Sequence, residues 1–438
     1  MKRPNILFVI CHDLGDYLGC YGTPVPTPNL DRLAAQGVVL ENHFSTDPVC
    51  SPSRGSILTG CYQHTHGLMG LVHRGWELNV DKCPTLPALL RAAGYETHLF
   101  GIQHEHWDAS RLGYDHIHKA KNIFADSITP VVLDWLQSRK EGDRPFFASI
   151  GFFETHRLNN HFKRDVYEPA RPEDVQVPPF LPDIPVQRQE LAEFYGSIKL
   201  VDREVGKLLS LLEETGLAEN TLVIFTTDHG ASFLHSKATL YDGGTKVAAL
   251  LRWPGVLPAG RRVATVTSHV DLLPSLLKWL DLPIPAGVEG KSFVSLAEGR
   301  AEEGREYVFA EKNYTNYYDP SRMVRSRTFK YIRKGLRTCM FDFVIPEIEG
   351  AATTFLGNDE IFQFYSSRRC TEELYDLARD PGEMRNIADD PQYLSTLNKL
   401  RSALDAHLEA TNDPFRFLRN ELPMPECVYS AVRPLKKK

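Results

Sequence analysis

Asn5-Ile6-Leu7-Phe8-Val9-Ile10-Cys11 is a continuous apolar run that stops at the polar His12-Asp13-Leu14-Gly15. Lacking a polar alternation, it reads as a strand buried on both faces, the kind found in parallel sheets. Thr221-Leu222-Val223-Ile224-Phe225-Thr226-Thr227 repeats the pattern and runs straight into Asp228-His229-Gly230. Residues 146–153 and 97–101 read the same way, the second fed by a short helix over 86–93 that Gly94 closes. Thr27-Pro28 opens a helix with Leu30, Leu33 and Ala34 on one face and Gly37 as its stop. The longest helical pattern, over 187–215, repeats Leu191, Phe194, Ile198, Val201, Val205, Leu208 and Leu212 at three- and four-residue steps until Gly216. Helices alternating with buried strands predict an α/β fold, a large mixed, mostly parallel sheet sandwiched by helices. Open sheets of this kind bind ligands beyond the C-terminal ends of their strands. The acids and histidines gather there.

From about residue 300 the texture changes to short aromatic-rich pieces, 307–310 and 329–332, between charged turns. This predicts a large catalytic domain over 1–300 and a smaller C-terminal α+β domain with an antiparallel sheet over 301–438, which 438 residues accommodate. The Pro-rich stretch 177–185 reads as a surface loop. With 24% charged and 42% hydrophobic residues the composition is that of a globular enzyme, not of a disordered chain. Acids outnumber Lys and Arg by 56 to 50, so no basic surface argues for nucleic acid, and the terminal basic run 436–438 is given no role. Eight cysteines, at 11, 20, 50, 61, 83, 339, 370 and 427, form no CxxC pair, which favours a reduced compartment. Met1-Lys2-Arg3-Pro4 leads directly into the first strand without the features of a signal peptide. No apolar stretch reaches the roughly 18 residues that span a bilayer. The expected location is the cytoplasm, with neither membrane nor nucleic acid as partner.

Cys50-Ser51-Pro52-Ser53-Arg54 continues as Gly55-Ser56-Ile57-Leu58-Thr59-Gly60. A cysteine before a helix is by itself a common buried residue. The whole stretch, however, resembles the signature of the sulfatase family, with its Cys-x-Pro-Ser-Arg core followed by Leu-Thr-Gly. The resemblance implies an alkaline-phosphatase-like fold and conversion of Cys50 to formylglycine, an aldehyde that hydrates to a geminal diol. It therefore implies a formylglycine-generating maturation enzyme as a partner. A metal can turn one such hydroxyl into a strong nucleophile at neutral pH. Arg54, always cationic, can hold the diol.

The resemblance extends to a metal shell of Asp13, Cys50, Asp228 and His229. The family usually places two adjacent acids after the first strand, where this chain has His12-Asp13. Calcium is the family default, with magnesium also possible, but imidazole in place of an oxygen ligand moves the site towards manganese or zinc. Gly101-Ile102-Gln103-His104 is similar to the family's Gly-Lys-x-His element, with His104 kept and Ile102 in place of lysine. His156, after Phe153-Glu154-Thr155, and Lys237, after the Asp-His-Gly element, match the remaining basic positions. Lys237 or His156 would stabilise or protonate the leaving atom, and His104 would take a proton from the second diol hydroxyl; these roles are interchangeable on sequence grounds. His64, His66, His73, His106, His116 and His118 read as surface or satisfied structural residues.

Cys11-His12-Asp13-Leu14-Gly15, Gly67-Leu68-Met69-Gly70-Leu71, Thr155-His156-Arg157 and Met323-Val324-Arg325 resemble the heparan N-sulfatase branch. Glu373-Leu374-Tyr375-Asp376-Leu377 is similar to the family's closing segment. The implied activity is hydrolysis of a sulfate ester or sulfamate on a sulfated amino sugar or glycosaminoglycan fragment, with Glu311, Lys312 and Arg325 as candidates to reach the sugar. Two alternatives compete: a phosphonate or phosphate diester hydrolase of the same superfamily, and a catalytically silent sugar-binding homologue whose Cys50 stays a thiol.

Overall fold

A computed structural model describes residues 3–139, 143–158, 161–162, 164–315, 318–335 and 370–417. Cys339, Cys427 and the basic run 436–438 lie outside them. The opening strand is β1 (Asn5–Cys11), buried at every position. Its alternation divides the interior: Leu7, Val9 and Cys11 join one hydrophobic core, and Ile6, Phe8 and Ile10 the other. Ile6, Leu7, Phe8 and Val9 are at most 1% exposed, so each contributes about 1.5–3 kcal/mol of burial free energy.

Eight further strands complete the sheet: β2 (Val38–Phe44), β3 (Glu96–Gly101), β4 (His116–His118), β5 (Phe146–Phe152), β6 (Thr221–Thr227), β7 (Lys246–Val247), β8 (Ala249–Arg252) and β9 (Arg261–Ser268). The order is β4-β3-β5-β1-β6-β8-β2-β7, with β9 beside β2. The strands from β4 to β6 are mutually parallel, and β8 runs antiparallel to both of its neighbours, β6 and β2. The mixed, mostly parallel sheet expected from the sequence is the one observed.

Helices Ala125–Gln137 and Pro185–Glu214 cover the first core, burying Ile128, Leu191, Phe194, Ile198, Val205 and Leu212. Helices Leu86–Ala92 and Leu272–Trp279 cover the second through Leu86, Leu90, Leu273 and Leu276. Helix Pro28–Ala35 buries Leu30, Leu33 and Ala34, the face its spacing predicts. Among the described residues, no helix is long and apolar enough to cross a membrane.

A second, four-stranded antiparallel sheet follows: β10 (Val308–Tyr314), β11 (Tyr318–Arg325), β12 (Phe329–Lys334) and β13 (Glu372–Asp376), in that order. Helix Leu394–Ala410 lays Leu397, Leu400, Leu404 and Leu408 against Val324, Tyr331 and Leu374. Charged groups join the two sheets. Arg325 is bidentate to Asp242 at 3.0 and 2.8 Å, and Lys330 Nζ lies 2.6 Å from the same carboxylate. Glu311 pairs with His64 and Arg322, and Lys312 with Asp319. The three residues considered for sugar contact are therefore buried in structural ion pairs.

Candidate active site

Parallel pairing of β1 with β6 sets Cys11 opposite Thr227, so the polar residues that follow the two strands emerge side by side. The Asp13 N–H donates to Asp228 Oδ1 at 2.9 Å, and the Asp228 N–H donates to the Cys11 carbonyl at 3.1 Å. Asp13 has φ 51°, in the left-handed region that aspartate tolerates better than most residues. That turn bends the chain at the strand end. The loop after β5 is stitched to it: the His12 N–H donates to the Glu154 carbonyl at 2.9 Å and the Thr155 hydroxyl to the Asp13 carbonyl at 2.9 Å. His156 arrives on this loop.

Cys50 and Arg54 come from the helix Cys50–Thr59, every residue of which is buried. A polar helix survives burial only if its hydroxyls are satisfied. The Thr59 hydroxyl donates to the Gly55 carbonyl at 2.8 Å, Ser56 meets His66 Nε2 at 3.2 Å, and Ser51 accepts from the Val72 N–H at 3.2 Å. Lys237 sits between His235 (φ 59°) and Ala238 (φ 65°), two non-glycine residues in the left-handed region. Strain of this kind persists where the surroundings over-determine a loop. Gly230 is required sterically, since a Cβ there would lie 1.7 Å from the Gly243 carbonyl oxygen.

These segments bring all eight expected residues together: Asp13, Cys50, Arg54, His104, His156, Asp228, His229 and Lys237. Cys50 Sγ is 3.2 Å from His104 Nδ1, and His229 is close enough to act on the thiol electrostatically. Arg54 Nε donates to Asp228 Oδ2 at 3.0 Å, while its Nη2 has no hydrogen-bond partner among the described residues. Lys237 Nζ donates to Asp13 Oδ2 at 2.6 Å and lies 3.2 Å from His156 Nε2. His156 Nδ1 faces the Arg157 carbonyl at 2.8 Å, so Nδ1 carries the proton and Nε2 presents its lone pair to the ammonium. His229 Nδ1 likewise donates to the Gly230 carbonyl at 2.9 Å, and its Nε2 lies 3.1 Å from Asp13 Oδ1.

Burial resists charging of His229, but the Asp228 and Asp13 carboxylates outweigh it and lift its pKa to about 10. Burial, then the Arg54 charge, push His12 and His104 below the usual imidazole value and hold both rings neutral. Burial pushes the Cys50 thiol up despite the nearby His229 and the charge of Lys237. A thiol of that kind is a poor thiolate nucleophile.

The sequence left His12 undecided as a ligand. Its ring is 1% exposed, and Nδ1 lies 3.0 Å from Asp228 Oδ2 without hydrogen-bonding geometry. His12, Asp13 and Asp228 each direct one ligand atom to within 4.8 Å of the others. Two further residues escaped the sequence reading. Glu105 lies 3.7 Å from Arg54, and His73, read as peripheral, stacks on His104 with its Nδ1 3.4 Å from His104 Nε2. Glu105 follows His104 directly and was legible as its neighbour; His73 lies in the short 3-10 helix Val72–Arg74, which follows no strand, and no local pattern marks it.

Residues 4–282 match the family model described as Sulfatase, and residues 229–342 match that described as N-sulphoglucosamine sulphohydrolase, C-terminal. The chain is 30% identical to the human N-sulphoglucosamine sulphohydrolase over 94% of its own length and 91% of the relative's. It is 27% identical to an ulvan-active sulfatase of Formosa agariphila, over 96% and 77% of the two chains. A solved structure from Bacteroides fragilis shares the fold with a TM-score of 0.77 at 21% identity, covering 95% of this chain and 97% of that one.

Proposed function

Because the chain belongs to the sulfatase family and is thus a sulfuric ester hydrolase, we propose that it cleaves a sulfate ester or sulfamate on a sulfated amino sugar or glycosaminoglycan fragment. The observation that carries this reading is the position of Cys50, at the start of a buried helix between His104 and His229 and beside two carboxylates joined through the Asp13 N–H.

Asp13, Asp228, His229 and a modified Cys50 would hold the divalent metal, with His12 alongside. The residues fit a cation. Among the described residues, Asp13 Oδ1, both His12 ring nitrogens and His229 Nε2 are buried without hydrogen-bond partners, and the neutral His12 imidazole beside the Asp228 carboxylate is stabilised by a positive ion between them. Bound there, calcium by family default or else manganese, magnesium or zinc would supply Lewis-acid charge to a sulfate group. Oxidation of Cys50 to formylglycine by a maturation enzyme would supply a hydrated aldehyde as nucleophile.

The remaining steps belong to this chain's side chains. Arg54 Nη2 is free to hold an oxygen at position 50 or on the sulfate. Lys237 Nζ, next to His156 Nε2, donates to the leaving oxygen or nitrogen as charge builds on it. His104 Nδ1, neutral and 3.2 Å from the side chain at 50, accepts the proton that releases sulfate. The Nε2 of His104 then carries the other proton, towards His73 Nδ1. We further propose that residues 301–438 form a separate domain and that the protein works in a reducing compartment such as the cytoplasm. The start of the second sheet at Val308 and the free thiols of Cys11, Cys20, Cys50, Cys61 and Cys83 support these readings.

The test is mass spectrometry of the Cys50 peptide from the native host, together with turnover of N-sulfated and O-sulfated glucosamine against matched phosphate and phosphonate esters. Formylglycine with preference for a sulfated sugar is expected. An unmodified thiol would favour the silent sugar-binding alternative, and faster phosphonate turnover the diester hydrolase.

A further inference from the structure

A second group of histidines lies at the outer edge of the large sheet, two strands from β1 and outside the site just described. Glu96 and His98 share one face of β3, His116 and His118 one face of β4, and His98 pairs with His116 in register. Glu96 Oε1 lies 3.5 Å from His98 Nε2 and 3.2 Å from His116 Nε2. All three atoms fall within 4.8 Å of one another. His98 is 2% exposed, yet among the described residues its Nε2 has no hydrogen-bond partner.

The other ring nitrogen explains why Nε2 is left bare. His98 Nδ1 meets His118 Nε2 at 3.0 Å. With the proton on Nδ1, donated to His118, the Nε2 lone pair points at a carboxylate oxygen. With the proton on Nε2, a buried donor goes unsatisfied, at a cost of about 1–3 kcal/mol. A cation between Nε2 and the carboxylate removes both penalties. The spacing suits one: ligand atoms at zinc bond lengths of about 2.0–2.1 Å in a tetrahedron lie about 3.3 Å apart, between the two observed separations. Surrounding groups are placed as supports. Arg139 Nη1 holds the second oxygen of Glu96 at 2.7 Å, Trp135 packs on His98 with ring centroids 4.5 Å apart, and His118 orients the His98 ring. The His116 side chain is 50% exposed, which gives an ion a way in.

We propose that Glu96 Oε1, His98 Nε2 and His116 Nε2 bind a divalent transition ion of the zinc class, with water at the fourth position. The ion would fasten the three-residue edge strand β4 to β3.

The full-length protein, kept in excess calcium to fill the catalytic centre, is titrated with Zn2+ against a chromophoric chelator and compared with His116→Ala and Glu96→Gln. One zinc equivalent should bind the unsubstituted protein and weaken by more than about tenfold in each variant. Co2+ should give visible tetrahedral bands in the unsubstituted protein that the variants lack. Unfolding temperatures in chelator establish that each variant is folded, and zinc should raise only that of the unsubstituted protein. Zinc binding and cobalt spectra unchanged in both variants, or no zinc bound by the unsubstituted protein, would overturn the proposal.

Discussion

The Asp13 N–H donates to the side chain of Asp228, 215 residues further along the chain, at 2.9 Å. One carboxylate thereby organises the backbone of one strand end, the guanidinium of Arg54 and the imidazole of His12. The site is held together by the groups that would do its chemistry.

Asp228→Ala should therefore cost stability as well as activity. It leaves Arg54, 1% exposed, without its 3.0 Å partner, and stranding one member of a buried pair typically costs about 3–5 kcal/mol. Denaturant unfolding should show a loss of that order, with turnover abolished.

Lys237→Ala and His156→Ala should lower turnover by about 10²–10⁴, the range of a lost acid or base. His156 is the cleaner test, because Lys237 also neutralises Asp13. Near-normal turnover in both would refute the leaving-group assignment.

His73→Phe keeps an aromatic ring against His104 but removes the acceptor 3.4 Å from its Nε2. A net hydrogen bond is worth about 1 kcal/mol, so kcat should fall roughly five- to tenfold with KM unchanged. An equal loss in a His73→Asn variant would contradict a role in fixing the tautomer.

Gly230→Ala would drive a methyl group to within 1.7 Å of the Gly243 carbonyl oxygen. Backbone cannot yield as a flexible side chain does, so a loss of about 3 kcal/mol or more is expected by thermal or chemical unfolding.

His64 offers a pH test on a residue outside the proposed catalytic set. Burial opposes its charge, but Glu311, at 2.9 Å, and Asp413 raise its pKa to about 9. A raised pKa stabilises the fold fully below the unfolded value of about 6.5 and loses that contribution as pH climbs through the folded value. The unfolding-temperature gap between the unsubstituted protein and His64→Gln should be widest near pH 6 and close above pH 9. A gap that widens with pH would reverse the sign.

Local pattern was enough for the strands β1, β5 and β6 and the helix Pro185–Glu214, because burial on both faces or on one stripe writes an unbroken or 3.6-residue apolar period into the chain. It was not enough for β2, whose VVLENHF mixes apolar and polar residues, nor for β8 and β9, which are ordered by their neighbours. Cys50, Arg54, Asp13 and Asp228 could be named from their motifs. Their mutual distances could not, because register between strands more than two hundred residues apart is set by packing. The same limit hid His73 behind His104, the ion pairs that bury Glu311, Lys312 and Arg325, and the histidines of the outer edge. Sequence alone determines which groups a chain can offer to chemistry; tertiary structure decides which of them face one another, since only long-range packing fixes the few ångströms over which a proton or a metal ion is shared.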